Sequence, residues 1–296
     1  MSVSTIVAGY DLSAPSDAAL ARAVGLATAY NAKLVVVHAQ ADDTPIDRTN
    51  NELVDKLGEV SAVIRAQEAV KIADRIAGIH KQGIGCELVS RAGPPGEILA
   101  TVATEKDADL LVIGTHGHTG LARFLLGSVA AATLRHAPCD VLVCRGPAGG
   151  AFKKPLVAMD FSAAATRAVS HVVELCEPQA AIDVVHAWQL PAGSWGATLL
   201  GQARFPWSTV RDAVVASAQT QADRLVLGQK SLGRSLHVEL VQGPPASVVT
   251  SAAERGGWSG EQHWADTGDG IRANHVFSTI PLPLLARLTS DRKSVV

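Results

Sequence analysis

The chain has 296 residues, of which 47% are hydrophobic and 18% charged, and this composition excludes a disordered protein. At roughly 150 residues per domain, the length favours two domains. A net charge of −2 without long runs of Lys or Arg argues against nucleic acid as a partner. The sequence shows neither a signal-peptide pattern nor an apolar segment of about 18 residues, so a cytoplasmic protein without membrane contact is expected. Its 4 cysteines lack C-x-x-C spacing, which favours free thiols over a metal site or a disulfide.

The first half of the chain alternates short apolar runs with helical patterns. The apolar runs are rich in Val, Ile and Leu, which is typical of parallel strands buried on both faces. In chain order they are "TIVAGY" (Thr5 to Tyr10), "KLVVVHA" (Lys33 to Ala39), "CELVSR" (Cys86 to Arg91), "DLLVIG" (Asp109 to Gly114) and "DVLVCR" (Asp140 to Arg145). Helices are predicted from Ala14 to about Ala29, from about Asn51 to His80, from Pro95 to Lys106 and from Ser128 to His136. Strand and helix in alternation predict an open parallel α/β sheet with helices on both faces.

The second half repeats the first. "IVAGYDLSAPSDAALARAV" is matched by "LVAMDFSAAATRAV", "LVVVHAQ" by "IDVVHAW", and "ELVSRAGPPGEIL" by "ELVQGPPASVV", in the same order. The sequence therefore predicts a tandem duplication with domains at 1–147 and 153–296, joined by the linker "RGPAGGAFKKP".

The repeat stops after Glu254. Nothing in 256–296 matches "DADLLVIGTHGHTGLARFLLGS", so the second domain is expected to lack the glycine loop and the fourth and fifth strands. Two explanations stay open: the second half has diverged, or the reading frame changes near Gly256. An intact nucleotide site is not expected in this half.

The glycine-rich stretch "GTHGHTGLARFLLGS" connects a predicted strand to a predicted helix. In an open α/β sheet the ligand crevice lies beyond the carboxyl ends of the strands. Glycine lets backbone N–H groups turn towards an anion, and the helix that starts at Ser128 adds the positive end of its dipole. The pattern favours phosphate as the ligand, while an ordinary strand-to-helix turn is the alternative. Neither a P-loop nor a G-x-G-x-x-G fingerprint is present.

The glycine spacing carries a resemblance to a known family. Gly114, Gly117, Gly127 and Ser128 match the G-2x-G-9x-G-[ST] ATP-binding motif of the universal stress protein family. Asp11 after the first strand, the second strand "VVVHA" and the closing "RHAPCDVLVCR" are similar as well. With the second half up to about residue 255, the resemblance covers roughly 250 residues.

The resemblance implies a Rossmann-like fold of the adenine nucleotide alpha hydrolase type, duplicated in tandem. The resemblance implies a sheet of five parallel strands in the order 3-2-1-4-5, with ATP, and with it Mg²⁺, across the strand ends. Asp11 would contact the ribose or adenine side, unless it only caps the following helix. Ala39 would offer its backbone to adenine. Ile113, the residue before the first motif glycine, would also belong to the site. Ribose and phosphates would be held by Gly114, Gly117, Gly127, Ser128 and Val129.

The same resemblance implies an ATP-binding stress-response regulator or sensor. No dedicated catalytic arrangement is visible in the sequence. Slow ATP hydrolysis, with Mg²⁺ and a loop His positioning water, is the first alternative, and a nucleotide-free interaction module is the second. An unknown regulatory protein is expected as a partner. The family's fifth strands commonly pair across a two-fold axis, which predicts that Val141 to Cys144 either forms a homodimer interface or stays poorly covered.

Overall fold

The computed structural model describes residues 3–40, 51–115, 127–144, 152–190, 207–230 and 233–255, with the backbone alone for 51–57, 207, 263–266 and 275–278. The chain divides into two compact units, Met1–Gly150 and Ala151–Val296. The described cysteines, Cys86, Cys139, Cys144 and Cys176, are free. Within the described ranges, no helix has both the length and the hydropathy that a bilayer crossing requires.

The first unit is a parallel sheet with strand order β3-β2-β1-β4-β5, which confirms the predicted order 3-2-1-4-5. Its strands are β1 (Thr5–Gly9), β2 (Lys33–Gln40), β3 (Cys86–Ala92), β4 (Leu110–Gly114) and β5 (Asp140–Cys144). Its helices are α1 (Ala14–Tyr30), α2 (Asn51–Lys81), α3 (Pro95–Glu105) and α4 (Ser128–His136). The predicted elements agree with these bounds to within one residue at the ends that the structure describes.

Local sequence signals explain where the helices that border the site begin and end. Helix α1 begins after Ser13, whose side chain caps it, and carries Pro15 in its first turn, where the missing N–H costs nothing. It ends at Asn31, which takes the left-handed conformation with φ 51°. Helix α4 begins at Ser128 and ends two residues before Pro138. These two helices place their N-terminal ends beside the carboxyl ends of β1 and β4.

The second unit repeats the first three strands of this arrangement. Its elements are β6 (Leu156–Met159), α5 (Ala163–Leu175), β7 (Ile182–Trp188), α6 (Trp207–Lys230), β8 (Leu236–Gln242) and α7 (Pro245–Arg255). Strand β7 pairs with β6 on one side and with β8 on the other, all parallel. The duplication is visible in detail at Gly93 and Gly243, which follow β3 and β8 with φ of 130° and 150°.

The tail of the second unit contains two strands, so the expectation that the fourth and fifth strands are missing is wrong. Strands β9 (His263–Asp266) and β10 (His275–Ser278) pair in parallel, and β10 pairs with β6. The unit's order is therefore β8-β7-β6-β10-β9, with the last two strands exchanged relative to the first unit. A strand of four residues is too short to show a hydrophobic period in the sequence. Backbone pairing with the buried strand β6 accounts for β10, and pairing with β10 accounts for β9.

Candidate functional site

Three of the predicted site residues lie at one edge of the first sheet because the registers of β1, β2 and β4 bring them there. Gly9 in β1 is paired with Val37 in β2, and Ala8 is paired with Val112 in β4. Continued by two residues, these registers place Asp11 level with Ala39, and Tyr10 level with Gly114. Neighbouring strands are about 4.8 Å apart, so the three strand ends form one continuous surface.

Asp11 lies in a tight turn between β1 and α1. Its Oδ1 accepts hydrogen bonds from the backbone N of Ser13, at 3.0 Å, and from the Ser13 hydroxyl, at 2.5 Å. The Ser13 hydroxyl oxygen in turn accepts from the backbone N of Ser16, at 3.3 Å. The helix cap is therefore Ser13, and Asp11 supports that cap from outside the helix. Leu12 between them has φ 66°, a left-handed conformation that a leucine adopts only under constraint.

The Ala39 and Ile113 positions offer mainly backbone. Ala39 is partly exposed and lies beside Arg91 of β3. The Ile113 side chain is 4% exposed, and its Cγ2 would lie 3.2 Å from a Cβ added at Gly9. Its side chain therefore belongs to the core, and a ligand at this position meets the main chain.

Gly114 has a packing role that the sequence motif does not reveal. A Cβ added at this residue would lie 2.8 Å from the carbonyl carbon and 2.9 Å from the carbonyl oxygen of Pro15. Backbone atoms cannot move aside as a flexible side chain can. The end of β4 approaches the first turn of α1 this closely only because residue 114 has no side chain.

A backbone hydrogen bond joins the two described ends of the glycine loop, Thr115 and Gly127. The N of Thr115 donates to the carbonyl of Cys144 at 3.2 Å, and the N of Gly127 donates to the carbonyl of Thr115 at 2.8 Å. The chain that leaves β4 therefore returns to the same point to start α4. Gly117, with His116 and His118, lies outside the described residues.

The N-terminus of α4 is suited to an anion. Gly127 precedes the helix with φ −63° and ψ 154°, and no side-chain hydrogen bond caps it. The first turn contains no acidic side chain, and Ser128 and Val129 are exposed. The first N–H groups of a helix have no partner within the helix, and the helix dipole adds partial positive charge there. Main-chain N–H groups and the Ser128 hydroxyl together form a donor set that fits phosphate oxygens.

A cavity of about 530 Å³ adjoins the Asp11 turn, and its chemistry differs from that of the α4 N-terminus. It is lined by Tyr10, Leu12, Asp17, Glu68, Lys71, Asp74 and Arg75. The Tyr10 hydroxyl donates to Asp17 Oδ1 at 3.0 Å, and Arg75 Nη2 lies 3.0 Å from the same oxygen. Burial, followed by the hydrogen bond to Asp17, raises the pKa of Tyr10 to about 12. Three carboxylates against two cations make this cavity a poor site for phosphate.

His38 is a site-edge residue to which the sequence interpretation gave no role. It is 6% exposed, and its Nδ1 donates to the carbonyl oxygen of Tyr10 at 2.9 Å. The N of Tyr10 donates back across the strands to the carbonyl of Val37 at 2.9 Å. The signal was present in the sequence, because His186 recurs at the matching position of the second unit.

The second unit builds the same corner between its first strand and first helix. Asp160 Oδ1 accepts from the N of Ser162 at 2.8 Å, and Ser162 caps α5 through the N of Ala165 at 3.1 Å. Phe161 between them has φ 60°. His186 Nδ1 donates to the carbonyl oxygen of Met159 at 2.8 Å. In the part of this unit that the structure describes, no helix corresponds to α4.

Comparisons with known proteins agree with the duplicated fold. The family model described as "Universal stress protein family" matches residues 3–145 and 151–258. A universal stress protein of Methanocaldococcus jannaschii is 41% identical over 81 residues, which are 27% of this chain and 46% of that protein. This chain thus spans less than half of that relative's own length.

Two further relatives extend the match. A putative universal stress protein of Staphylococcus aureus (strain USA300) is 33% identical over 143 residues, which are 47% of this chain and 82% of that protein. The crystal structure of a putative universal stress protein from Pseudomonas aeruginosa UCBPP-PA14 has a TM-score of 0.57 at 15% identity, and the match covers 99% of this chain and 98% of that one. At this identity the structural likeness concerns the fold alone.

Proposed function

The chain belongs to the universal stress protein family, and from that premise we propose that its first unit binds ATP with Mg²⁺ and acts as a nucleotide-dependent stress-response regulator in the cytoplasm. The second unit does not bind nucleotide in this proposal. It would keep the related fold without a phosphate loop. ATP bound to the first unit would change how the chain binds a regulatory protein partner.

One observation carries the proposal: the hydrogen bond from the N of Gly127 to the carbonyl of Thr115, at 2.8 Å. This bond fixes the uncapped N-terminus of α4 at the end of β4, directly beside the end of β1. An anion-binding helix end and a carboxylate turn therefore border the same stretch of the sheet edge. Phosphate at one side and a sugar with its base at the other fit that arrangement.

Each residue has a part that follows from its chemistry. The N–H groups at Ser128 and Val129, with the Ser128 hydroxyl, would donate to phosphate oxygens. The carboxylate of Asp11 would accept from ribose hydroxyls. Ala39 would hydrogen-bond the adenine edge through its main chain, and Ile113 and Gly114 would line the ribose with theirs. Gly117 completes the motif in sequence.

The test is isothermal titration of nucleotide-stripped full-length protein with ATP and Mg²⁺, comparing Gly127→Leu with Gly25→Leu. The φ and ψ of Gly127 are open to any L-residue, so leucine places its side chain at the helix end without backbone strain. Gly25 lies in α1, where an added Cβ would meet no atom within 4 Å. The two variants carry the same chemical change at a proposed phosphate site and at an open helix position.

We expect the wild type and Gly25→Leu to bind equally and Gly127→Leu to lose binding at least about a hundredfold, since steric exclusion removes several charge-assisted bonds at once. Absence of binding in the wild type, or equal affinity in both variants, would refute the proposal. Phosphate release followed in the same samples decides the enzymatic alternative. Release above background that disappears in Gly127→Leu would establish slow hydrolysis at this site.

The proposal includes a homodimer through Val141 to Cys144. These residues form β5, the last strand in the order of the first unit. In the universal stress protein family, fifth strands commonly pair across a two-fold axis, and the proposal extends that arrangement to this chain. Sedimentation over a range of concentrations should give a dimer, and a monomer at every concentration would refute this part.

A further inference from the structure

His38 joins the two strand ends that the proposed site uses for the nucleoside. It lies one residue before Ala39 in β2, and its ring contacts Tyr10, which lies one residue before Asp11. A carbonyl oxygen only accepts hydrogen bonds, so the ring proton of this contact is on Nδ1. The side chain is 6% exposed, which places this bond away from competing water.

The peptide group between Tyr10 and Asp11 is held at both of its ends. Its carbonyl accepts from His38 at 2.9 Å, and its N–H donates to the Ser16 hydroxyl at 3.3 Å. A peptide group is planar and turns as one body, so two such bonds fix its orientation. That orientation sets the direction in which the Asp11 side chain leaves the backbone.

The neighbouring geometry makes this restraint consequential. Leu12 has φ 66°, and a leucine keeps such a conformation only where surrounding contacts hold it. The carboxylate of Asp11 is then fixed through Ser13. Loss of the His38 bond would free the peptide before Asp11 and let the turn relax away from the conformation that presents the carboxylate.

We propose that His38 is a positioning residue for the nucleoside half of the site, acting through the Tyr10 carbonyl to hold Asp11 level with Ala39. This inference rests on the proposed function of the first unit. His38 needs no contact with the ligand for this role. Its effect is therefore confined to the base and ribose, while the helix end at Ser128 serves the phosphates independently.

The second unit provides a matched control, because His186 makes the same bond to the Met159 carbonyl at 2.8 Å. A His at this place that only stabilises the corner would act alike in both units. Substitution at 186 would then perturb its unit as much as substitution at 38 perturbs the first, and nucleoside affinity would change in neither case.

The experiment compares His38→Asn, His38→Gln and His186→Gln in the full-length chain. Asparagine places an amide N–H near the position of Nδ1, whereas the longer glutamine places it near the position of Nε2. Binding of adenosine and of ATP with Mg²⁺ is measured by titration calorimetry. Gly127→Leu is included, because it should weaken ATP and leave adenosine unchanged.

We expect His38→Gln to weaken adenosine and ATP by the same factor, about tenfold, which is the value of one well-placed hydrogen bond. His38→Asn should stay within about twofold of the wild type, and His186→Gln should not differ from it. Wild-type affinity in His38→Gln, or an equal loss in His38→Asn, overturns the inference alone. A wild type that binds neither probe overturns the proposed function and the inference with it.

A measurement on the unaltered protein covers the case in which the His38 variants fail to fold. Long-range ¹H–¹⁵N correlation spectra should show His38 protonated on Nδ1, with ring shifts that change when adenosine is added to saturation. A ring protonated on Nε2 instead, or ring shifts that do not respond to adenosine, overturns the inference.

Discussion

The strand-to-helix corners after β1 and β6 are built alike, whereas the segments after the third helix of each unit, α3 and α7, differ. In both corners an aspartate accepts from the residue two positions later, a left-handed residue lies between them, a serine caps the helix, and a histidine holds the preceding carbonyl. Both third helices are followed by strands, and among the residues that the structure describes only the first unit then has a helix at the place of α4.

The strand-to-helix corner is common to both units, whereas a helix N-terminus suited to phosphate is described in the first unit. The corner persists beside two different continuations, so it is a solution to turning from a strand into a helix. The α4 N-terminus is tied to the first unit, and with it the donors suited to phosphate. The proposed nucleotide site requires both parts, and four predictions, given in decreasing order of expected effect, test whether they can be separated.

Gly114→Ala should destabilise the first unit by roughly 1–3 kcal/mol, because its Cβ would overlap the Pro15 backbone. Urea-dependent hydrogen exchange of peptides from β1 and β4 measures this, since it resolves the two units. Gly25→Ala is the control and should be neutral or stabilising by up to about 1 kcal/mol. An unchanged unfolding midpoint in Gly114→Ala would mean that the motif glycine has no architectural role.

Ser13→Ala and Ser162→Ala should each cost about 1 kcal/mol, in the first and second unit respectively, through loss of a helix cap. The loss at Ser13 should be the larger, since its hydroxyl also donates to Asp11. The same exchange measurement reports each unit separately. Ser217→Ala, at an exposed position of α6, serves as the control, and effects that cross from one unit to the other would refute the comparison.

Tyr10 makes the stability of the first corner depend on pH in the alkaline range. Met159, at the matching position of the second corner, has no group that titrates. Its pKa in the folded chain is about 12, raised from 10.0 by burial first and by Asp17 second. A group whose pKa is higher in the folded state contributes stability below the unfolded value, and that stability is lost as the pH rises from 10.0 towards 12.

An absorbance titration should show one of the 2 tyrosines ionising near pH 12, and Asp17→Asn should lower that value. Tyr10→Phe identifies the transition by removing it. Two tyrosines that both ionise near pH 10.0 would contradict the buried, hydrogen-bonded phenol.

The smallest effect concerns a strand-to-helix ion pair in each unit, in which the strand carries the Arg in the first unit and the Glu in the second. Arg91 of β3 pairs with Glu105 of α3, whereas Glu239 of β8 pairs with Arg255 of α7. The hydrogen bond from Arg91 lowers the pKa of Glu105 below 4.5. Arg91→Gln should return it towards that value in a carboxyl NMR titration, with Arg255→Gln as the control that leaves Glu105 unchanged. A Glu105 titration unaffected by Arg91→Gln would show that this exposed pair does not form in solution.

Sequence patterns were most informative where apolar periodicity agrees with the residues that mark helix ends, such as Gly127 before α4 and Pro138 after it. Helix α4 has the predicted bounds Ser128–His136, and the first sheet has the predicted order. Strands β9 and β10 were missed because four residues are too few to show a period. The matched "ELV" segments were also misleading, since the strand registers and Gly93 with Gly243 make Val89, not Glu87, the counterpart of Glu239.

The residues of the candidate site also divide into those that a sequence pattern locates and those whose contacts only the structure reveals. Glycine spacing locates a loop, and the strand registers then bring Asp11, Ala39 and Gly114 to one edge. The contact of residue 114 with Pro15 and the bond from His38 to Tyr10 join residues distant in sequence. Such contacts depend on how the elements pack, which a motif does not encode.

Whether one unit of two holds nucleotide can be decided by counting ATP per chain with native mass spectrometry on nucleotide-stripped protein titrated with ATP and Mg²⁺. We predict saturation at one ATP per chain in the wild type, and no bound ATP in Gly127→Leu. Two per chain would show that the corner of the second unit suffices for binding, and none in the wild type would show that the glycine loop is only a turn.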